Sequence, residues 1–187
     1  MCFSGPLATT FFMKNIEIRP ATPNYAATIH GFIGELADYE KLRDQFVATI
    51  DDLKRSLFAK DSPAEALVAL IDGEPVGYAL YFKSYSTFLA KSGIYLEDLY
   101  VTPKHRGSGA GKALLKRVAQ VVVERGYGRL EWSVLDWNKP AIEFYLSFGA
   151  HPCFEVALER ALTELLQGRA LDALDGFPPP TLDLEEV

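Results

Sequence analysis

One stretch constrains the fold of this chain more than any other. Residues 92–118 read "SGIYLEDLYVTPKHRGSGAGKALLKRV". A run with strand character is stopped by Pro103, a turn with three glycines follows, and an amphipathic helix opens directly behind it. Leu114, Leu115, Val118, Val121 and Val122 recur at helical spacing, which predicts a helix over about 109–125 with one face in a core. "RLEWSVLDWN" (129–138) then reads as another strand. Strand, helix and strand in this order require a crossover connection beside a parallel pair of strands.

The remainder of the chain sets that crossover in a mixed α/β domain. "NIEIRPA" (15–21) alternates as a strand, and residues 24–39 carry Ile29, Phe32, Ile33 and Leu36 at helical spacing. "TIDDLKRSLF" (49–58) is a second helix with Thr49 as N-cap and two acids in its first turn. "EALVALIDGEPVGYALYFKSYS" (65–86) is a hairpin, two apolar runs about an Asp-Gly turn. "KPAIEFYLSFG" (139–149) is a short helix with Pro140 near its start and Gly149 at its end. The predicted order is β-α-α-β-β-β-α-β-α, a mixed and mostly antiparallel sheet flanked by helices.

Charge and cysteine usage narrow the function classes. The net charge of −6 resides in residues 154–187, where eight acids face two bases, so the rest of the chain is neutral. No basic block suggests nucleic acid as a partner. No apolar run reaches the roughly 20 residues of a membrane span. Cys2 and Cys153 lack metal-ligand spacing and read as reduced thiols of a cytoplasmic protein; no metal is expected. Residues 1–13 read as an extension without order, 14–153 as the domain, and 154–187 as an acidic tail with a helix over about 155–174. The first twelve residues hold no Lys or Arg and do not read as a secretory signal.

The glycine turn carries the chemistry. Glycines 107, 109 and 111 let the backbone approach a ligand, and the helix start offers free N–H groups to an anion. Arg106 and Lys112 add positive charge on either side. A nucleotide P-loop is excluded, because Lys112 precedes Ala113 rather than Ser or Thr. A dinucleotide-binding turn would need a different glycine spacing and an acid about 20 residues on.

"VTPKHRGSGAGKALLKRV" (101–118) resembles the acetyl-CoA-binding motif of the GNAT (Gcn5-related) N-acetyltransferases, with Arg106, Gly109 and Gly111 in its fixed positions. "ELADYEKL" (35–42), "VGYALYFKSYSTF" (76–88), "YLEDLYV" (95–101), "VLDWNKPAIEFY" (134–145) and "FGA" (148–150) together resemble the diamine acetyltransferases of that family, which act on spermidine, spermine or thialysine. The resemblance implies a GNAT fold and acetyl transfer from acetyl-CoA to a primary amine of a small diamine-like substrate, by direct attack. It implies a homodimer.

The same resemblance assigns residues. Gly107, Ser108, Gly109, Ala110, Gly111 and Lys112, with Arg106, would hold the coenzyme A diphosphate. The backbone of Leu99, Tyr100 and Val101 would pair with the pantetheine arm, with Asn138 bonded to it. Glu97 would take the ammonium proton through water, because only a neutral amine attacks a thioester and a free alkylammonium titrates near 10. Tyr145 would return a proton to the leaving thiolate. Tyr39, Glu40, Ser86, Phe88 and Asp98 would line the amine site, and Ser86 with "VLDWN" leans toward the thialysine branch. On spacing alone, Tyr145 reads as a core aromatic and Asn138 as a helix N-cap. A coenzyme A-binding regulatory or impaired domain is the alternative, as is a GNAT acting on an amino acid or a protein N-terminus. After residue 150 the chain lacks the closing strand signal of these relatives.

Overall fold

The computed structural model describes residues 15–151. The extension and tail expected at 1–13 and 154–187 lie outside the described residues. Five strands and four α-helices follow in the predicted order: β1 (Ile16–Pro20), α1 (Ala26–Glu40), α2 (Ile50–Leu57), β2 (Ala64–Ile71), β3 (Glu74–Ser86), β4 (Lys91–Val101), α3 (Ala110–Glu124), β5 (Leu130–Trp132) and α4 (Lys139–Leu146). The strands form one sheet in the order β1-β2-β3-β4-β5. The first four pair antiparallel, and β5 joins β4 in parallel through the α3 crossover.

Local chemistry accounts for the elements. Thr49 caps α2 in a reciprocal box: the Asp52 amide donates to Thr49 Oγ1 at 3.1 Å, and the Thr49 amide donates to Asp52 Oδ2 at 2.9 Å. Asp72 and Gly73 both take positive φ, 52° and 87°, which matches the twist of the β2–β3 hairpin. Helix α4 starts at a side-chain cap from Asn138, with proline in its first turn.

The sheet is covered on both faces, which explains why β2 is buried along nearly its whole length. Leu67, Ala69 and Ile71 pack with Leu114, Leu115, Val118 and Val122 of α3. Ala66, Val68 and Leu70 face the other way, onto Ile29 and Phe32 of α1 and Leu57 of α2. No helix among the described residues is long and apolar enough to cross a membrane.

Two bulges set which side chains meet. The β2–β3 register slips between Ala69 and Leu70, leaving Val76 as an extra residue in β3. The β3–β4 register slips between Leu80 and Tyr81, leaving Glu97 as an extra residue in β4. An extra residue reverses the face on which later side chains emerge. Ile94 and Leu96 therefore face α3, whereas Tyr100, four residues beyond Leu96, faces α1. Leu99 and Val101 pack on the α3 face.

The strand expected over 129–138 is shorter than its sequence suggested. Pairing between β4 and β5 ends at Leu96↔Trp132, beside the bulge, and the chain runs on as a loop to Asn138. The bend in β4 carries it away from β5, so from Glu97 to Val101 one edge of β4 has no strand partner among the described residues.

Candidate active site

The open edge of β4 leads directly to the glycine turn. The Thr102 amide donates to the Val76 carbonyl at 2.9 Å, and a single 3₁₀ turn (Pro103–His105) follows. Gly107 and Gly109 have φ of 75° and 96°, left-handed values that disfavour any side chain with a Cβ. Gly109 is the residue at the start of α3, whose Leu114, Leu115 and Val118 fix the first turns in the core. The Ala110 amide donates to Ser108 Oγ at 3.3 Å. The amides of Gly107, Gly109, Gly111 and Lys112 meet no acceptor among the described residues. This cluster of free donors at the positive end of a 15-residue helix fits a diphosphate.

Arg106 turns back from the loop. Its Nε donates to the Val101 carbonyl at 3.3 Å, and its guanidinium lies 4.9 Å from the centroid of the Tyr39 ring. Tyr39 also packs against Trp137 at 5.7 Å and donates its hydroxyl to Asn138 Oδ1 at 3.0 Å. The same oxygen accepts the Ala141 amide at 3.3 Å. Asn138 thus serves as the N-cap of α4 and joins the end of α1 to it.

The other end of the cleft is acidic and aromatic. Asp98 lies one residue past the bulge, opposite Leu80. Tyr78 is fully buried and donates its hydroxyl to Asp98 Oδ2 at 2.8 Å. Burial pushes the Asp98 carboxyl up to about 6; the bond from Tyr78 opposes the rise, and the charges of Glu97 and Glu40 add to it. Burial also raises the Glu40 carboxyl. Tyr145 stands on α4 with its ring 4.7 Å from Trp132 and 5.3 Å from Phe144. Burial, then the charges of Asp98 and Glu40, hold its phenol far above the ordinary 10. Tyr145 therefore keeps its proton at neutral pH and can act as a donor. Glu97 is exposed at the bulge.

Ser86 and Phe88 do not join this group within one chain. Ser86 pairs with Lys91 at the far end of the β3–β4 hairpin, seven residues along β4 from Asp98. At about 3.3 Å per residue this separation is about 20 Å. Ser86 is buried and its Oγ accepts the Leu89 amide at 3.2 Å, while Phe88 is 89% exposed. The hydroxyl of Tyr100 is committed to Glu35 Oε2 at 2.6 Å, on the α1 side of the sheet. Among the described residues, no cluster of three or more His, Cys, Asp or Glu could hold a metal ion.

Sequence reasoning passed over Tyr78, which lay unremarked in an apolar run. Trp132 and Trp137 pack against Tyr145 and Tyr39 and hold those rings in place.

The fourth and fifth strands of the sheet part beside a glycine loop that opens a helix. The acetyltransferase (GNAT) family matches residues 34–150, and the chain belongs to it. Thialysine N-epsilon-acetyltransferase of Bos taurus is 41% identical over 151 residues, covering 76% of this chain and 88% of that one. The enzyme of the same name from Caenorhabditis elegans is 38% identical over 71% of this chain and 81% of its own. Among solved structures, an integron cassette protein of V. cholerae superposes with a TM-score of 0.62 at 25% identity, over 80% of this chain and 96% of that one. A shorter match, to the YcaO cyclodehydratase family over 132–186, covers less than a third of the chain and falls mostly outside the described residues. The protein is an N-acetyltransferase acting on an amine.

Proposed function

We propose that the chain transfers an acetyl group from acetyl-CoA to a primary amine of a small diamine-like substrate of the thialysine or polyamine type. The observation that carries this reading is the buried Asp98 carboxyl, with Glu40 and Tyr145 near enough for their groups to influence one another, on the strand that leads into the glycine loop with its free amides. Two carboxylates suit a cation, and a phenol that keeps its proton suits a departing thiolate.

Acetyl-CoA supplies the activated thioester. On the chain's side, the loop amides with Arg106 and Lys112 hold the diphosphate, and the unpaired edge at Leu99, Tyr100 and Val101 holds the amide-bearing arm. A β4 amide polarises the acyl carbonyl. Asp98 and Glu40 receive the substrate ammonium. Glu97, exposed to solvent beside them, takes the proton through water. The neutral amine attacks the thioester carbon, the C–S bond breaks, Tyr145 gives its proton to the departing thiolate, and the proton shed by the acylated nitrogen restores the phenol. The relatives named for thialysine support the substrate class. A homodimer and a cytoplasmic setting belong to the same reading.

A thiol-release assay with acetyl-CoA tests it against thialysine, lysine, putrescine, spermidine and a protein N-terminal peptide. Thialysine or a polyamine should give the highest kcat/KM. Tyr145→Phe should lower kcat by about 100-fold, within the usual range for a general acid, with acetyl-CoA binding retained. Coenzyme A binding without release for any amine would favour a regulatory domain.

A further inference from the structure

The buried face between α1 and the sheet contains a polar side chain, Tyr78, that the acetyl-transfer chemistry above does not use. Tyr78 of β3 and Tyr100 of β4 are direct cross-strand neighbours, and Phe32 of α1 covers both. The Phe32 and Tyr78 rings are nearly parallel, 13° apart with centroids at 6.1 Å. Tyr78 is fully buried, so its ring has no freedom to swing. A hydroxyl in such a place needs a partner, and this one has Asp98 Oδ2 at 2.8 Å.

The pairing has consequences for Asp98. With Oδ2 occupied, Oδ1 is the oxygen left without a partner among the described residues. A carboxylate clamped at one oxygen by a rigid donor is held in a single orientation. It also keeps its charge more readily, because the donated hydrogen bond favours the ionised form. The groups facing Asp98 are Glu97 on its own strand, Glu40 at the end of α1, Tyr145 on α4 and Tyr78 itself. Three of these four supply negative charge or a phenol that stays neutral. Tyr78 is the one whose contact favours the anion.

We propose that Tyr78 is a positioning residue for the amine substrate: its fixed hydroxyl aims the Asp98 carboxylate and keeps it ionised, so that Oδ1 is presented to the incoming ammonium. The proposal rests on Asp98 lying at the amine site. Tyr78 reaches the substrate only through Asp98. It sets how tightly a cationic acceptor is held near neutral pH, and leaves donor binding alone.

The test is the pair of variants Tyr78→Phe and Asp98→Asn in the full chain, assayed from pH 5.5 to 9 with the best amine of the panel. In Tyr78→Phe the amine KM should rise about threefold at pH 6.5 and about eightfold at pH 5.5, as the ionised fraction of Asp98 falls. The rise should shrink by pH 9, where Asp98 is ionised regardless. The acid limb of kcat/KM should move up by about one pH unit, and the KM for acetyl-CoA should stay within twofold. Carbon-13 NMR of the carboxyl signal that disappears in Asp98→Asn should show the same upward move without any substrate. Site-specific 3-fluorotyrosine at position 78, a stronger donor of nearly equal size, should move limb and signal down, and it serves if Tyr78→Phe does not fold. An unmoved carboxyl signal, or a loss of kcat/KM equal at every pH, overturns the proposal. If Asp98→Asn leaves the amine KM unchanged, it is the placement of the amine site that fails, and the carboxyl titration still decides the link between the two residues.

Discussion

Asp98 shows how a single carboxyl can be costly to the fold. Its carboxyl stands at about 6 against an ordinary 3.8, chiefly through burial. A group raised in the folded state contributes stability below its unfolded value, and that contribution is lost as pH rises through the folded value. The charged carboxylate therefore weakens the fold above about pH 6, by about 3 kcal/mol on the usual conversion. Asp98→Asn removes the charge and leaves an oxygen for Tyr78. We expect this variant to be more stable than the parent at pH 8, with the difference vanishing near pH 4, in denaturant titrations at both values. Activity toward the amine should fall at least tenfold, since a charged partner of the ammonium is lost. A fold strained at the site and relieved by an inactivating change is the expected pattern where function and stability compete.

At the scale of elements, the two bulges and the glycine turn do the arranging. The bulge at Glu97 moves Asp98 and Tyr100 to the α1 face and ends the pairing with β5. That one extra residue leaves the β4 edge without a strand partner among the described residues and sets the carboxylate beside Tyr78. Gly109, at φ 96°, aims the free amides of the loop. Gly109→Ala should cost about 1–2 kcal/mol in backbone strain, and its Cβ would also stand 3.4 Å from Ile16 Cδ1. The expected result is an acetyl-CoA KM raised tenfold or more with the amine KM unchanged, read from initial rates with each substrate varied in turn. The helices and the hairpin were legible in the sequence because caps, the Asp-Gly turn and apolar periodicity are local. The bulges were not, since "VGYALY" and "YLEDLY" look like uninterrupted strands. The length of β5 was overestimated for the same reason: its residues have strand character, but the partner leaves.

At the scale of the molecule, the sheet divides its duties between two faces and two ends. Helix α3 secures the glycine loop from one face, while α1 brings Tyr39 to Asn138 from the other. The hairpin tip, with Tyr85 60%, Phe88 89% and Leu89 51% exposed, lies about 20 Å from Asp98 along the strand. Residues that the resemblance placed at the amine site are therefore remote from it within one chain. A second copy offering its own tip would bring the two together, in line with the proposed homodimer. Phe88→Asp should then shift the species from dimer to monomer by light scattering and raise the amine KM. An unchanged mass would remove the tip from the interface.

By itself, the sequence determined the order of elements, the glycine loop ahead of α3, the capped helices and the family. Each of these rests on neighbours within a few residues, where propensity and turn chemistry act directly. Only the tertiary structure decided which faces the side chains after the bulges would take, that Tyr78 would hold Asp98, that Ser86 and Phe88 would stand apart from the cleft, and where β4 would part from β5. Those outcomes depend on register between strands distant in sequence. A slip of one residue reverses a face without leaving a mark in the local pattern.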